Sequence, residues 1–313
     1  MTEKKINLKE EKIWIAGHTG MVGQALKRRL SNHNIILASR NELNLTDTQS
    51  VREWFDIHRP SVVFLTAAKV GGIKANAEQP VDFLLDNLKI QNNVIEYSAL
   101  NGVKKLIFMG SACSYPKNAL QPIHEDSLFT GIPEVSNIWY ATAKIAGIKL
   151  AQAFQSENRL NCVIAMPTNA YGLFDNFDEE SGHVIPALMK KLHRATLNKD
   201  KNITIWGSGR PVREFIYVDD LADALVFLSE NYNSNEIINI GGLDEISIFE
   251  LTKIIADIVG FNGEILTDES RPDGMMRKLL DANKINKLGW ECRTKLPDGL
   301  SKMYEWALLN NKL

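Results

Sequence analysis

The sequence predicts an α/β protein, a doubly wound parallel sheet with a smaller C-terminal α/β lobe. Three observations point there. Short β-branched or apolar runs alternate with helical patterns through the first half, a glycine-rich turn separates the first run from the first helix, and one more apolar run returns late. The early runs are KIWIA at 12–16, NIILAS at 34–39, SVVFLTA at 61–67, KLIFMG at 105–110 and NCVIAM at 161–166. The late one is Ile237-Ile238-Asn239-Ile240, before Gly241-Gly242. Such alternation builds βαβ units, whose strands pair in parallel.

At 313 residues the chain is long for a single core. The expected division gives a sheet domain at 1–175 that takes back 216–242, and a lobe formed by 176–215 and 243–313. That lobe would lie over the carboxyl ends of the strands, where open α/β sheets bind ligands.

Charge and cysteine usage exclude several classes. With 36 basic against 38 acidic residues, a net charge of −2 and no block of like charge, a nucleic-acid or polyanion surface is not expected. The polar start MTEKKINLKE runs directly into Ile13–Ala16, and no apolar run approaches 18 residues, so a soluble, cytoplasmic protein is expected rather than a secreted or membrane one. Cys113, Cys162 and Cys292 are odd in number and lack a C-x-x-C pair, which argues against a disulfide framework and a metal site.

Immediately after the first strand come Gly17-His18-Thr19-Gly20-Met21-Val22-Gly23 and the helical run QALKRRL. Glycines at G-x-x-G-x-x-G spacing permit a tight turn and let backbone approach a pyrophosphate on a helix N-terminus. This is the Rossmann-type arrangement for a dinucleotide. An acid at the end of the second strand would accept from a ribose hydroxyl, whereas an arginine would pair with a 2′-phosphate. The chain reads Ala38-Ser39-Arg40 there, which favours NADP(H), while Glu42 two residues later is what speaks for NAD.

Tyr140 and Lys144 stand at i and i+4 in Trp139-Tyr140-Ala141-Thr142-Ala143-Lys144, neighbours on one helix face. Together with Ser111 after the KLIFMG strand, they match the Ser/Tyr/Lys arrangement of short-chain dehydrogenases. Tyrosine titrates near 10 in water, so a neighbouring ammonium is needed to make its proton exchange usable near neutrality. Lys144 would serve that purpose and also hold the nicotinamide ribose.

The stretches AGHTGMVG, NELNLTD, AAKVGGI, GSACSYP, YATAKIAGIKL, MPTNAYG, GHVIPAL, WGSGRPVREFIYVDD and RPDGMMRKLLD resemble the GDP-L-fucose synthases, a family of extended short-chain dehydrogenases/reductases, over about residues 12–310. The resemblance implies epimerisation of a GDP-4-keto-6-deoxy-mannose at C3 and C5, followed by NADPH-dependent reduction at C4. It assigns reduction to Ser111, Tyr140 and Lys144, and the acid/base work of epimerisation to Cys113 and His183. Carbons beside a ketone lose protons because charge moves to the carbonyl oxygen, which Ser111 and Tyr140 would stabilise. Inversion then requires proton removal on one face and delivery on the other, hence two groups that titrate near neutrality.

By the same resemblance, Gly17, Thr19, Gly20, Met21, Val22, Gly23, Arg40, Lys144, Pro167, Asn169, Ala170 and His183 would contact NADP(H). Lys191, Trp206, Arg213 and Lys278 would hold the nucleotide sugar. Trp206 suits stacking on a base or sugar, and Arg213 suits paired hydrogen bonds to phosphate. Lys191 stands where a bacterial member carries arginine, so the charge is kept and the fork is lost. Thr19 stands where relatives place an arginine against the cofactor. The stretches near 81–100 and 138–156 are apolar on more than one side, and family members dimerise through these helices, so a homodimer is implied. A relative acting on another GDP-4-keto sugar, of the 6-deoxy-heptose or colitose type, shares these motifs, and a non-catalytic NADP-binding sensor is the reading from a different class.

If Arg40 reads a 2′-phosphate, Arg40→Ala will raise the KM for NADPH far more than that for NADH. Equal effects in steady-state kinetics would remove the assignment.

Overall fold

A computed structural model describes residues 5–178, 182–271 and 273–313. Residues 1–4 of the polar start and Pro272 of the RPDGMMRKLLD stretch lie outside the described residues. The strands are β1 (Lys12–Ala16), β2 (Asn34–Ile36), β3 (Val62–Leu65), β4 (Lys105–Met109), β5 (Cys162–Pro167), β6 (Asn169–Tyr171), β7 (Asn202–Trp206), β8 (Val212–Tyr217), β9 (Ile237–Ile240), β10 (Glu245–Ser247), β11 (Glu264–Asp268) and β12 (Arg277–Lys278). The helices are α1 (Met21–Arg29), α2 (Thr48–His58), α3 (Ile73–Glu78), α4 (Pro80–Leu100), α5 (Ile138–Ser156), α6 (Val184–Asn198), α7 (Val218–Asn231), α8 (Ile248–Val259), α9 (Asn283–Lys287) and α10 (Leu296–Leu309).

The central sheet is wholly parallel, in the order β2-β1-β3-β4-β5-β9. From β1 the chain moves one way to β2 and then, from β3 on, the other way. The reversal leaves a crevice at the carboxyl ends of β1 and β3, the place where doubly wound sheets take ligands. The runs expected at 12–16 and 237–240 are strands at those residues. NIILAS pairs with β1 only over Asn34–Ile36, because the chain then turns and the Ser39 N–H donates to the Glu42 carboxylate at 2.7 Å.

Strand side chains alternate between two cores, as the period of two requires. Ile13, Ile15, Phe64, Ile107 and Val163 pack with Leu26 of α1 and Leu221 and Leu225 of α7. Trp14, Val63, Leu106, Phe108 and Ile164 pack with Phe55 of α2, Val94 and Ile95 of α4 and Ile148 of α5. Both faces are therefore covered, and the continuous apolar strands are explained. A third core joins Phe215 and Tyr217 of β8 to α6, α8 and α10 through Met189, Leu192, Leu251, Ile255, Leu300 and Met303. There β8 pairs antiparallel with β10 and parallel with β6 and β12, while β7 and β11 form a separate parallel pair.

A buried polar network ties the sheet to the segments above it. Asn239 of β9 accepts from the Tyr115 hydroxyl at 2.6 Å, donates from Nδ2 to the Ile123 carbonyl at 2.9 Å and the Asp281 carbonyl at 3.1 Å, and its N–H donates to Glu125 at 3.1 Å. Fully satisfied, such a network fixes loops in one arrangement. It holds the segment after β4 and the one after β12 in a common register.

α4 and α5 lie against each other over the second face, with Gln91 Nε2 donating to the Ala143 carbonyl at 2.6 Å. At Gly147 a Cβ would stand 2.5 Å from Phe108 Cζ and 2.6 Å from the Gln91 amide. Glycine here sets the depth of α5 on β4. Gly147→Ala is expected to lower stability by about 1–3 kcal/mol, the usual cost of overpacking. A denaturant midpoint equal to that of the wild type would show that the contact yields freely.

Candidate active site

Strand β4 ends at Met109, and Ser111 caps the short 3₁₀ turn Ala112–Ser114, its Oγ accepting from the Cys113 N–H at 3.2 Å. Ser111 and Cys113 are half-buried at this strand end. Tyr140 lies in the first turn of α5 and Lys144 one turn further. Lys144 is 3% exposed, and its Nζ donates to the Met109 carbonyl at 2.7 Å while lying 5.8 Å from the centre of the Tyr140 ring. Burial brings Lys144 down to about 8, so the ammonium form still predominates at neutrality. Burial, and then the charge of Cys113, push the Tyr140 phenol up against the opposing hydrogen bond from Ser111. The tyrosine is thus held in its protonated form, the form that can give a proton to a carbonyl oxygen.

Across from this trio lie Cys113, His183, Lys278 and Asp175. The Lys278 Nζ donates to Cys113 Sγ at 3.4 Å. Burial raises the Cys113 thiol, but the Lys278 charge, hydrogen bonds from Ser111 and Lys278 and the charge of His183 outweigh it, so the thiol sits below its ordinary value. His183, at the start of α6, contacts Asp175 Oδ1 through Nδ1 at 3.2 Å. That hydrogen bond raises the imidazole, and with the charges of Asp175 and Cys113 it prevails over burial. Asp175 is itself buried, and its Oδ1 also accepts from the Asn176 N–H at 2.8 Å. Cys113 therefore has a cation beside it and His183 an anion. The sulfur is thus shifted toward its thiolate form and the imidazole toward its protonated form.

The glycine turn forms the other side of the crevice. Gly17 has φ +96°, and a Cβ there would lie 2.6 Å from the Ala67 N atom; a Cβ on Gly23 would lie 2.1 Å from the Gly17 carbonyl. The turn is pressed onto both β3's continuation and α1. Gly20 caps α1 with no side-chain hydrogen bond, which leaves the helix N–H groups directed at the crevice. Exposed Thr19 and Gly20, with partly buried Met21 and Val22 behind them, thus make a cradle that fits a dinucleotide pyrophosphate. Arg40 is exposed beyond the end of β2. Glu42 is committed to the Ser39 N–H, and so braces the loop that presents Arg40. Pro167 ends β5, and Asn169 and Ala170 follow in β6, Asn169 Nδ2 donating to the Glu214 carbonyl at 2.9 Å.

Arg213 is half-buried, its Nη1 donating to the Val212 carbonyl at 2.8 Å, and it is the register partner of Lys278. Trp206 is 73% exposed at the end of β7, with the Arg271 guanidinium 5.2 Å from its ring centre. Lys191 on α6 hydrogen-bonds the Thr204 carbonyl of the same strand. Ser111, Cys113, Tyr140, His183, Arg213 and Lys278 interact around one sulfur, whereas Lys191 contacts β7 through the Thr204 carbonyl and Trp206 ends that strand. Two acids escape the sequence reading. Asp175 is one, eight residues before His183, and only that proximity hints at it. Asp273 is the other: its carboxylate accepts from the Ser208 N–H at 2.6 Å and the Ser208 hydroxyl at 2.8 Å, clasping the WGSG turn to the RPDG segment.

The chain as a whole has close counterparts among known proteins. Residues 13–241 match the model of the NAD dependent epimerase/dehydratase family. A GDP-L-fucose synthase of Sinorhizobium fredii is 49% identical over 302 residues, 96% of each chain. Among solved structures, a GDP-6-OMe-4-keto-L-xylo-heptose reductase from C. jejuni superposes with a TM-score of 0.92 at 37% identity, covering 98% of this chain and 100% of that one. A GDP-L-fucose synthetase from Naegleria fowleri bound to NADP gives 0.91 at 29% identity, covering 99% and 98%. The chain belongs to the NAD dependent epimerase/dehydratase family. Its likeness to the GDP-L-fucose synthases extends over nearly its whole length.

Because Asp175 raises His183, the imidazolium persists to higher pH than it would without the carboxylate. Asp175→Asn keeps the shape and removes the charge, so the His183 titration followed by NMR will move to lower pH. A titration at the wild-type position would mean that Asp175 does not govern this histidine.

Proposed function

We propose that the protein is an NADPH-dependent 3,5-epimerase and 4-reductase that converts GDP-4-keto-6-deoxy-D-mannose to GDP-L-fucose. The observation that carries this reading is that the Ser111, Tyr140 and Lys144 trio stands with Cys113 beside the Lys278 ammonium and His183 beside the Asp175 carboxylate. A plain ketoreductase needs only the trio. Similarity to GDP-L-fucose synthases and to a GDP-heptose reductase supports a GDP-4-keto sugar as the substrate class.

The roles follow from the chemistry of the groups. Ser111 and Tyr140 hydrogen-bond the keto oxygen and stabilise the charge that develops when a neighbouring carbon loses its proton. Cys113 removes that proton as thiolate, and His183 delivers one to the opposite face as imidazolium. Tyr140 then protonates the C4 oxygen, with Lys144 holding the residue's electrostatic surroundings and the nicotinamide ribose. NADPH, when bound, supplies the hydride that C4 receives. The cradle Gly17, Thr19, Gly20, Met21, Val22 and Gly23, together with Arg40, Pro167, Asn169, Ala170, Lys144 and His183, holds the cofactor. Lys191, Trp206, Arg213 and Lys278 hold the GDP part of the substrate.

The sheet domain is assigned to 1–175 and 216–242, and the substrate lobe to 176–215 and 243–313. A homodimer through α4 and α5 accords with the exposed apolar side chains Val81, Leu85, Leu100 and Trp139 on that helix pair. Among the described residues no helix is long and apolar enough to cross a membrane, which accords with a cytoplasmic enzyme.

Purified protein given NADPH and the 4-keto-6-deoxy product of GDP-mannose dehydration will yield GDP-L-fucose by NMR, and without NADPH it will incorporate deuterium at C3 and C5. Cys113→Ser will slow that exchange by about 10²–10⁴-fold while retaining GDP binding. No exchange and no NADPH oxidation in the wild type would refute the proposal.

A further inference from the structure

Lys278 is 9% exposed, and the partner of its ammonium among the described residues is the Cys113 sulfur, 165 residues away in sequence. Its neighbour in the β8–β12 register is Arg213, whose Nη1 donates to the Val212 carbonyl. Two cations thus stand side by side, one of them partly buried and the other almost fully, without a carboxylate on either among the described residues. A buried cation needs an acceptor to replace the water it has lost, and an anion replaces that water best. In the free protein the group in that place is the Cys113 sulfur. A diphosphate carries more negative charge and more acceptor oxygens than one sulfur, so it competes for the same ammonium.

We propose that Lys278 is a shared cation: it holds the Cys113 thiolate in the free protein, and the diphosphate of a bound nucleotide sugar draws it off, making the thiolate a stronger base when substrate is present. This rests on the reading of Cys113 as the proton-abstracting group. A base stabilised by a cation 3.4 Å away is a weak base. Loss of that cation returns basicity to the sulfur at the step that needs it. The other groups that bear on Cys113 are Ser111 on its own turn, Tyr140 from α5, His183 before α6 and Arg213 from β8. Of these, Ser111 and Tyr140 are neutral at pH 7, and the Asp175 contact ties His183 to its own loop. Lys278 is the group whose long flexible stem permits a change of partner.

The test follows the rate at which iodoacetamide alkylates Cys113 as a function of pH, quantified by mass spectrometry of its peptide in the full chain, with and without GDP. In the wild type, saturating GDP will raise the midpoint by about one pH unit or more, the size expected for losing an adjacent opposite charge. Without nucleotide, Lys278→Met will already show the raised midpoint and Lys278→Arg will keep the wild-type one. A wild-type midpoint unmoved by GDP overturns the proposal, even if alkylation slows at every pH, because slowing alone reports cover of the sulfur. A Lys278→Met midpoint equal to the wild type overturns it equally, and so does a raised midpoint in Lys278→Arg. The assay involves no turnover, so its failure is separable from failure of the acid/base reading, which the deuterium exchange of Cys113→Ser decides.

Discussion

The site depends on one buried ammonium lying against one carbonyl. Lys144 reaches from α5 through an apolar layer to the Met109 oxygen, the last acceptor of β4, and so fixes helix to strand at the level of the reacting groups. Tyr140 is carried by the same helix one turn earlier, and Ser111 and Cys113 follow the same strand two and four residues later. A single contact therefore sets the spacing of all four. An ammonium buried this deeply needs a strong acceptor, and the Met109 carbonyl at the end of a parallel strand supplies one.

Around that anchor the charges are arranged in opposition. Lys278 faces Cys113 and Asp175 faces His183, so the thiol and the imidazole are driven toward opposite ionisation states although their ordinary values differ by only about two units. Neither partner is on the element that carries the group it tunes in the case of Cys113, and in the case of His183 the partner lies back along the incoming loop. The fold separates the jobs. Sheet and α5 supply Ser111, Tyr140 and Lys144, while the segment leading into α6 and strand β12 supply the tuning charges.

Much of this was legible from residue pattern alone. The apolar runs at 12–16, 105–110 and 237–240 correspond to strands because parallel strands covered on both faces are uniformly apolar, and that signal is strong. The end of NIILAS was not legible, since Glu42's capture of the Ser39 N–H is a tertiary choice that no periodicity encodes. Tyr140 and Lys144 could be paired because helical spacing places them together. Lys278 and Cys113 could not be, because their contact crosses 165 residues and depends on β12 adding to β8 beneath the Asn239 network. Asp175 and Asp273 look like ordinary loop acids until the backbone folds them onto His183 and Ser208.

Strand β12, which delivers Lys278, follows all six strands of the central sheet in chain order. A polypeptide emerging from the ribosome would complete its dinucleotide cradle and its serine, tyrosine and lysine well before the cation that tunes the sulfur is even translated. Assembly thus has a built-in sequence in time, in which the nascent chain holds Ser111, Cys113, Tyr140 and Lys144 before the cation that pairs with the sulfur exists.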